Sequence, residues 1–284
     1  GAMTGQHMIR GQVALSAMGI SDISVYNVEN ACASGSFAFN LAWSAVAGGQ
    51  HDCVLAAGFE KLFHPSKGKS FATLESAVDL ETHSDFIAQL ESGLKNGEKV
   101  FSEGGAKRSR LLDVYSFHAR RGMNRYGLEQ THFAKIAVKS HKNGSLNPKA
   151  QYQKTVTEDE VLASGDISYP LTRMMCAPVG DGGSAAILCS KRFAARFTTR
   201  PVMVSSSVVA SGRLSTDLDD TVTRRTATKL YKESGLGPGD IDVIEVHDTT
   251  SSAEIFYLMD LGFCHGQDVP KLIDTGYFDL DGGL

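Results

Sequence analysis

The stretch from Ile23 to Ala57 limits what this chain can fold into more than any other part of it. Ile23 to Val28 is a short run rich in β-branched and aromatic residues, and it reads as a buried strand. It leads through Glu29-Asn30-Ala31 to Cys32, and a helix of small residues is predicted from about Ser34 to Ala47. Phe37, Leu41 and Ala45 share one face of that helix, and Gly48-Gly49 stops it. Cys53 to Ala57 is a second apolar strand, so the whole is a β–α–β unit with a thiol at the strand-to-helix junction. Units of this kind belong to α/β proteins. A second unit echoes the first: Val243 to Val246 reads as a strand, His247 stands at its end, and Ser251 to Leu261 reads as a helix. Two α/β units, each with a reactive side chain at the carboxyl end of a strand, predict an internally duplicated fold with its ligand sites at that end.

Further elements are expected around these units. Thr4 to Met18 reads as a helix stopped by Gly19. From Glu60 to Leu112 the chain turns polar and glycine-bearing and carries the basic cluster Lys107-Arg108-Arg110, so it reads as a long excursion with short helices. Asp113 is expected to cap a helix reaching Tyr126, and a second helix spans about Gln130 to His141. Thr157 with Glu160 forms a capping-box signature. Ala185 to Cys189 and Val202 to Ala210 read as strands, and Asp220 to Ser234 as a helix before a Gly-Pro-Gly-Asp turn.

Composition excludes several classes. With 284 residues, 42% hydrophobic and 21% charged, the chain has apolar material for a core or for two smaller ones. A net charge of -4 gives no basis for nucleic acid as a partner. No apolar run reaches the roughly 18 residues of a membrane span. The five cysteines are scattered without CxxC pairing, which predicts reduced thiols and a cytoplasmic setting. The histidines lack metal-ligand spacing, so no metal site is expected.

Cys32 is the first candidate for chemistry. A thiol at a helix N-terminus faces unpaired N–H groups and the positive end of the helix dipole, and both favour the nucleophilic thiolate. Position alone leaves open a buried structural cysteine. His247 is the second candidate, since a neutral imidazole can donate a hydrogen bond to an oxygen that gains charge or can move a proton; a satisfied histidine at a strand end is the alternative. His118 and the cluster Lys107-Arg108-Arg110 are candidate ligand contacts, the cluster reading equally as a solvated face. Cys53, Cys176 and Cys189 read as structural, Cys264 as a loop residue, and Gly180-Asp181-Gly182-Gly183 as a turn into a strand, not a phosphate loop.

The run Asn27-Val28-Glu29-Asn30-Ala31-Cys32-Ala33-Ser34-Gly35-Ser36 resembles the nucleophile segment of the thiolase superfamily, closest to sterol-carrier-protein thiolases and bacterial thiolase-like lipid-transfer proteins. Further stretches match in order: Gly58-Phe59-Glu60-Lys61, Lys107-Arg108-Ser109 with Asp113, Asn147-Pro148, and Pro170-Leu171-Thr172. Cys176-Ala177-Pro178, Gly180-Asp181-Gly182 and His247-Asp248 with Ser251 and Glu254 complete the series, so the similarity spans essentially the whole chain. The resemblance implies an α/β thiolase fold, a duplicated five-layer αβαβα arrangement with a long loop-domain insertion. Residues 1–59 would belong to the N-terminal half and 60–112 to the loop excursion. Residues 113–190 would complete the loop region and that half, and 191–284 would belong to the C-terminal half.

The resemblance also implies chemistry. Cys32 would take an acyl group from a 3-ketoacyl-CoA, and coenzyme A, a co-substrate and not a bound cofactor, would carry it away. His247 would help build an oxyanion hole, and Lys107, Arg108 and His118 would neighbour coenzyme A. Homodimers or homotetramers are implied, paired through the strand Cys53 to Ala57; a small accessory protein is a further partner under the aldolase alternative. Thr249-Thr250 departs from the Cys-Phe of sterol-carrier thiolases. The family's Gly-His-Pro segment and second cysteine are not found before Leu284, and Thr4 to Gln12 resembles an interior segment. The chain is therefore expected to be part of a longer protein and, as it stands, to lack the base. Alternative readings are a thiolase-like retro-aldolase or non-catalytic acyl-CoA binder, and a ketosynthase-type condensing enzyme, whose histidine-bearing strand Val243-Ile244-Glu245-Val246-His247 resembles.

Overall fold

A computed structural model describes residues 8–77, 79, 81–92, 110–198, 200–213 and 219–284. The elements in chain order are α1 (Arg10–Ala17), α2 (Ser34–Ala47), β1 (Cys53–Glu60), α3 (Lys67–Glu75), α4 (His83–Ser92), α5 (Arg110–Tyr126), α6 (Gln130–Leu146) and α7 (Glu158–Leu162). Then come β2 (Asp166–Ser168), β3 (Leu171–Thr172), β4 (Gly182–Cys189), α8 (Lys191–Ala194), α9 (Val222–Ser234), α10 (Ser251–Asp260) and α11 (Val269–Asp274). They form two compact units, one of Gly1–Ala77 with Val179–Ser211, the other of Val78–Pro178 with Gly212–Leu284.

The first unit is built on an antiparallel pair, β1 against β4, in register from Cys53 opposite Cys189 to Glu60 opposite Gly182. Alternation along the strands turns Val54, Ala56, Ala186 and Leu188 to one face, and α2 covers that face with Phe39, Ala42, Trp43 and Val46. The covering stripe follows the i, i+3, i+4, i+7 pattern of one helix face. It is not the Phe37, Leu41, Ala45 face singled out in the sequence, and Leu41 is exposed. Almost every position of α2 is apolar or small, so the local pattern does not select a face; the strand pair does. Gly48 and the left-handed Gly49 (φ 70°) end the helix.

In the second unit α6 lies at the centre of the core. Its Phe133, Ala134, Ile136 and Ala137 are buried among Val161, Leu171, Met175, Ile255, Val269 and Ile273. The expected capping box forms at α7: Thr157 Oγ1 accepts from the Glu160 N–H at 3.2 Å, and Glu160 Oε2 accepts from the Thr157 N–H at 2.7 Å. Thr221 caps α9, accepting from the Arg224 N–H at 3.1 Å. Gly235 leaves that helix with φ 73°, a conformation glycine adopts without steric cost.

Several expectations change. Ile23 to Val28, Val202 to Ala210 and Val243 to Val246 carry no strand ladder among the described residues. Their β-branched content suits a strand, but a strand exists only where a second backbone meets its N–H and C=O groups. The first helix is Arg10–Ala17, shorter than Thr4 to Met18. Asp113 does not cap a helix: α5 begins at Arg110, and Asp113 sits buried in its first turn, accepting the Ser168 hydroxyl at 2.7 Å. An acidic side chain suits the first turn as well as the cap, because both lie at the positive end of the dipole. The second helix of this region extends past His141 to Leu146. The excursion after Glu60 does contain short helices, α3 and α4, while Lys107 and Arg108 lie outside the described residues.

Phe133 has no exposed surface. Phe133→Ala is expected to cost about 3–5 kcal/mol by lost burial and an unfilled cavity, read as a lower urea midpoint with an unchanged m-value. A loss below about 1 kcal/mol would mean that the core is not centred on α6.

Candidate active site

Cys32 stands two residues before α2, exposed, with Ala33 as the helix N-cap. The backbone just before it is held in an unusual form: Ala31 is left-handed at φ 48°, which costs a non-glycine residue on the order of 1–2 kcal/mol. Specific bonds hold it there. Glu29 Oε1 accepts from the Ala31 N–H at 3.1 Å and from the Ser34 hydroxyl at 2.9 Å, and Ser34 Oγ accepts from the Asn30 N–H at 2.7 Å. Helix α1 braces the same segment, with Arg10 pairing Glu29 at 3.0 Å and the Gly11 N–H donating to Asn27 Oδ1 at 2.7 Å. Glu29, Asn30 and Ser34 thus shape the turn that presents the thiol. Strained turns of this kind are found where a side chain must be aimed.

In the same unit two stretches far apart in sequence meet. Asp181, in the turn into β4, accepts the N–H groups of Leu62 and Phe63 at 2.8 Å each and pairs with Lys61, just past the end of β1. The Lys61 ammonium and these N–H groups hold the Asp181 carboxyl down at about 2.

His247 lies in the second unit, exposed, four residues before α10. The loop that follows it is gripped on two sides. The Ala177 N–H donates to the Thr249 carbonyl at 2.9 Å, and Cys176 bridges Thr250. From α5 the Tyr115 hydroxyl donates to Thr249 Oγ1 at 3.1 Å. Burial raises the Asp248 carboxyl. The Ser251 hydroxyl, first in α10, is buried with no hydrogen-bond partner among the described residues. His118, one turn beyond Tyr115 on α5, is pushed down to about 4 by burial, with Arg121 adding to the effect, and is neutral at pH 7. Sequence reasoning missed Tyr115, because the local pattern of α5 gives no sign that this tyrosine reaches across to the His247 loop.

Deeper in this unit Lys139 of α6 and Glu254 of α10 form an ion pair, their side chains 13% and 6% exposed. Burial raises the Glu254 carboxyl and Lys139 opposes that shift. Burial pushes Cys176 up to about 12 and Cys264 up to about 11, so their thiolate is scarce at neutral pH. Among the described residues no cluster of histidine, cysteine and carboxylates has the form of a metal site, and no helix is long and apolar enough to cross a membrane.

Comparison with known proteins identifies the family. The thiolase N-terminal domain matches residues 1–162, and a thiolase C-terminal domain-like family matches residues 207–284. The chain belongs to the thiolase family. Relatives include human sterol carrier protein 2, 32% identical over 92% of this chain and 47% of that protein, and the acetyl-CoA acetyltransferase of Methanothermobacter thermautotrophicus, 33% identical over 94% and 65%. Benzoylsuccinyl-CoA thiolase subunit BbsB of Thauera aromatica is 31% identical over 95% and 65%. The chain therefore spans about half to two thirds of the length of these relatives. A solved structure titled Ltp2-ChsH2(DUF35) aldolase matches with a TM-score of 0.65 at 21% identity, covering 98% of this chain and 69% of the other. The fold is the α/β thiolase fold.

Lys139→Met should lower stability by about 3–5 kcal/mol at neutral pH, because it leaves the Glu254 charge buried and unpaired. A carboxyl raised above its ordinary 4.5 penalises the fold above that value and not below it. The deficit of Lys139→Met against the parent should therefore shrink as the pH falls towards 4.5. A deficit that is constant from pH 7 to pH 4 would argue against the pair.

Proposed function

We propose that this protein transfers acyl groups between coenzyme A thioesters, with Cys32 as nucleophile. The observation that carries the reading is a thiol set at the start of α2 behind a strained Ala31 in a thiolase-family chain. The thiolate attacks the C3 carbonyl of a 3-ketoacyl-CoA. The C2–C3 bond breaks, its electron pair leaves as the enolate of acetyl-CoA, and that enolate takes up a proton. The acyl group remains as a thioester on Cys32 until the thiol of coenzyme A attacks it, regenerating the cysteine. The oxygen that gains charge during attack needs hydrogen-bond donors, and His247 would supply one, as the family resemblance implies. Lys107, Arg108 and His118 would contact coenzyme A, as the family resemblance implies. Acetyl-CoA acetyltransferase and benzoylsuccinyl-CoA thiolase among the relatives support a thioester substrate.

A second reading is a thiolase-like retro-aldolase acting with a small partner. It draws support from the fold match to a structure titled as an aldolase and from Thr249-Thr250 beside His247. An aldolase would cleave a 3-hydroxyacyl-CoA without forming a thioester on Cys32.

Two measurements test these readings. Iodoacetamide at pH 7.5 should label Cys32 fastest and leave Cys176 and Cys264 unmodified; equal labelling of all cysteines would sink an activated Cys32. Incubation with an acyl-CoA should add the acyl mass to Cys32, and Cys32→Ala should abolish the adduct. Turnover of a 3-hydroxyacyl-CoA that survives Cys32→Ala would favour the aldolase. We extend the reading to a homodimer paired through β1; a monomer by light scattering at micromolar concentration would count against that.

A further inference from the structure

Two of the cysteines stand opposite each other at one end of the first unit's strand pair. Cys53 opens β1, Cys189 closes β4, and the register sets them face to face. Directly opposite residues of an antiparallel pair project to the same side of the sheet. Val54 and Leu188, the next pair along, lie under α2, so Cys53 and Cys189 project to the side that α2 does not cover. Leu55 and Ile187, which share that side, are exposed. Cys53 is exposed as well, and Cys189 is half-buried.

The hydrogen-bond pattern puts this pair at the closer of the two kinds of position in a ladder. The Ser190 N–H donates to the Asp52 carbonyl at 2.9 Å, which makes Asp52 and Ser190 a hydrogen-bonded pair. Such pairs alternate with non-hydrogen-bonded ones, so Cys53 and Cys189 are a non-hydrogen-bonded pair. Opposite Cα atoms there are about 4.5 Å apart, within the range of about 4.4–6.8 Å that a disulfide spans. The register at this end is also held from both sides. Inward, Leu188 is buried under α2. Outward, the Ser190 hydroxyl donates to Asp52 Oδ1 at 3.1 Å, and Arg192 pairs with Asp52 at 3.2 Å.

We propose that Cys53 and Cys189 are an oxidation site, where a low-molecular-weight disulfide such as oxidised glutathione installs a cross-strand disulfide that staples β1 to β4 and that free thiols remove. The thiolate of exposed Cys53 attacks one sulfur of the oxidant, forms a mixed disulfide and releases one glutathione. The Cys189 thiolate then attacks the Cys53 sulfur, the mixed S–S bond breaks and the second glutathione leaves. Two protein thiols are oxidised, one disulfide is reduced to two thiols, and the two cysteine protons end on the glutathiones. The second attack joins side chains that already face each other, so the mixed disulfide should not accumulate. The bond would link directly the two stretches of the first unit, Gly1–Ala77 and Val179–Ser211, which the backbone connects only through the second unit. An exposed disulfide stays open to reduction by thiols. The site does not depend on the acyl-transfer reading.

The folded chain, incubated with oxidised glutathione and then blocked at its free thiols, should yield on non-reducing peptide mass analysis a peptide pair joined through Cys53 and Cys189. Dithiothreitol should separate the pair. Trp43, the single tryptophan, packs against this strand pair, so its fluorescence follows the first unit. A disulfide that closes the long loop from Cys53 to Cys189 should raise the urea midpoint of that signal by about 1 M, and dithiothreitol should restore the original value. Cys189→Ser should leave at least about tenfold more glutathione on Cys53 than the parent carries, because the second attack is removed. Cys53→Ser, at an exposed position, keeps the test decisive if Cys189→Ser fails to fold; it should abolish both the joined pair and the midpoint shift. Glutathione adducts that persist on both cysteines, a disulfide to Cys32 or between two chains, or a joined pair that leaves the midpoint unchanged overturns the inference.

Discussion

Lys139 and Glu254 are both almost wholly out of water, and each charge is tolerable there only because the other is present. The pair joins α6, whose apolar face is the centre of the second unit's core, to α10, which begins just after the His247 loop. Removing the charges in favour of apolar residues would not by itself unfold such a unit. Keeping them ties α6 to α10 at one point, Lys139 to Glu254. The helix that follows the His247 loop is thus tied to the core by a polar contact. Tyr115 and Ala177 then hold the loop from outside it.

The first unit reaches a comparable result by polar means near the surface. Its core is small, α2 against one face of β1 and β4, and the turn before Cys32 has no apolar packing of its own to support a left-handed Ala31. Glu29 does that work with two acceptor bonds, and Ser34 closes the turn from the helix side. A carboxylate that accepts N–H and O–H groups together is a strong local clamp. It also lies against Ser34, the first residue of α2, where a negative charge suits the positive end of the helix dipole.

The family-like stretches along the chain are individually short, and the structure brings several of them together in pairs. Gly58-Phe59-Glu60-Lys61 and Gly180-Asp181-Gly182 are the ends of two paired strands, locked by Asp181. Cys176-Ala177-Pro178 lies against the chain after His247-Asp248. Asp113 bonds Ser168, just before Pro170-Leu171-Thr172. Each pair is a tertiary contact, which is why no window of sequence containing one member reveals the other.

Local chemistry was enough to read where several helices lie and some of their ends. The Thr157–Glu160 box, the Gly48-Gly49 stop and the left-handed Gly235 follow from backbone geometry within a few residues. The junction of Cys32 with α2 and the position of His247 ahead of α10 were legible for the same reason. Three decisions were not local. Ile23 to Val28, Val202 to Ala210 and Val243 to Val246 have strand-like composition, yet pairing depends on a partner backbone that composition does not name. The buried face of α2 was chosen by β1 and β4, because a helix apolar on all sides carries no preference of its own. The Tyr115–Thr249 bond and the Lys139–Glu254 pair join residues more than a hundred positions apart. Side-chain identity determines which interactions a residue can make, and only the packed chain determines which residues are near enough to make them.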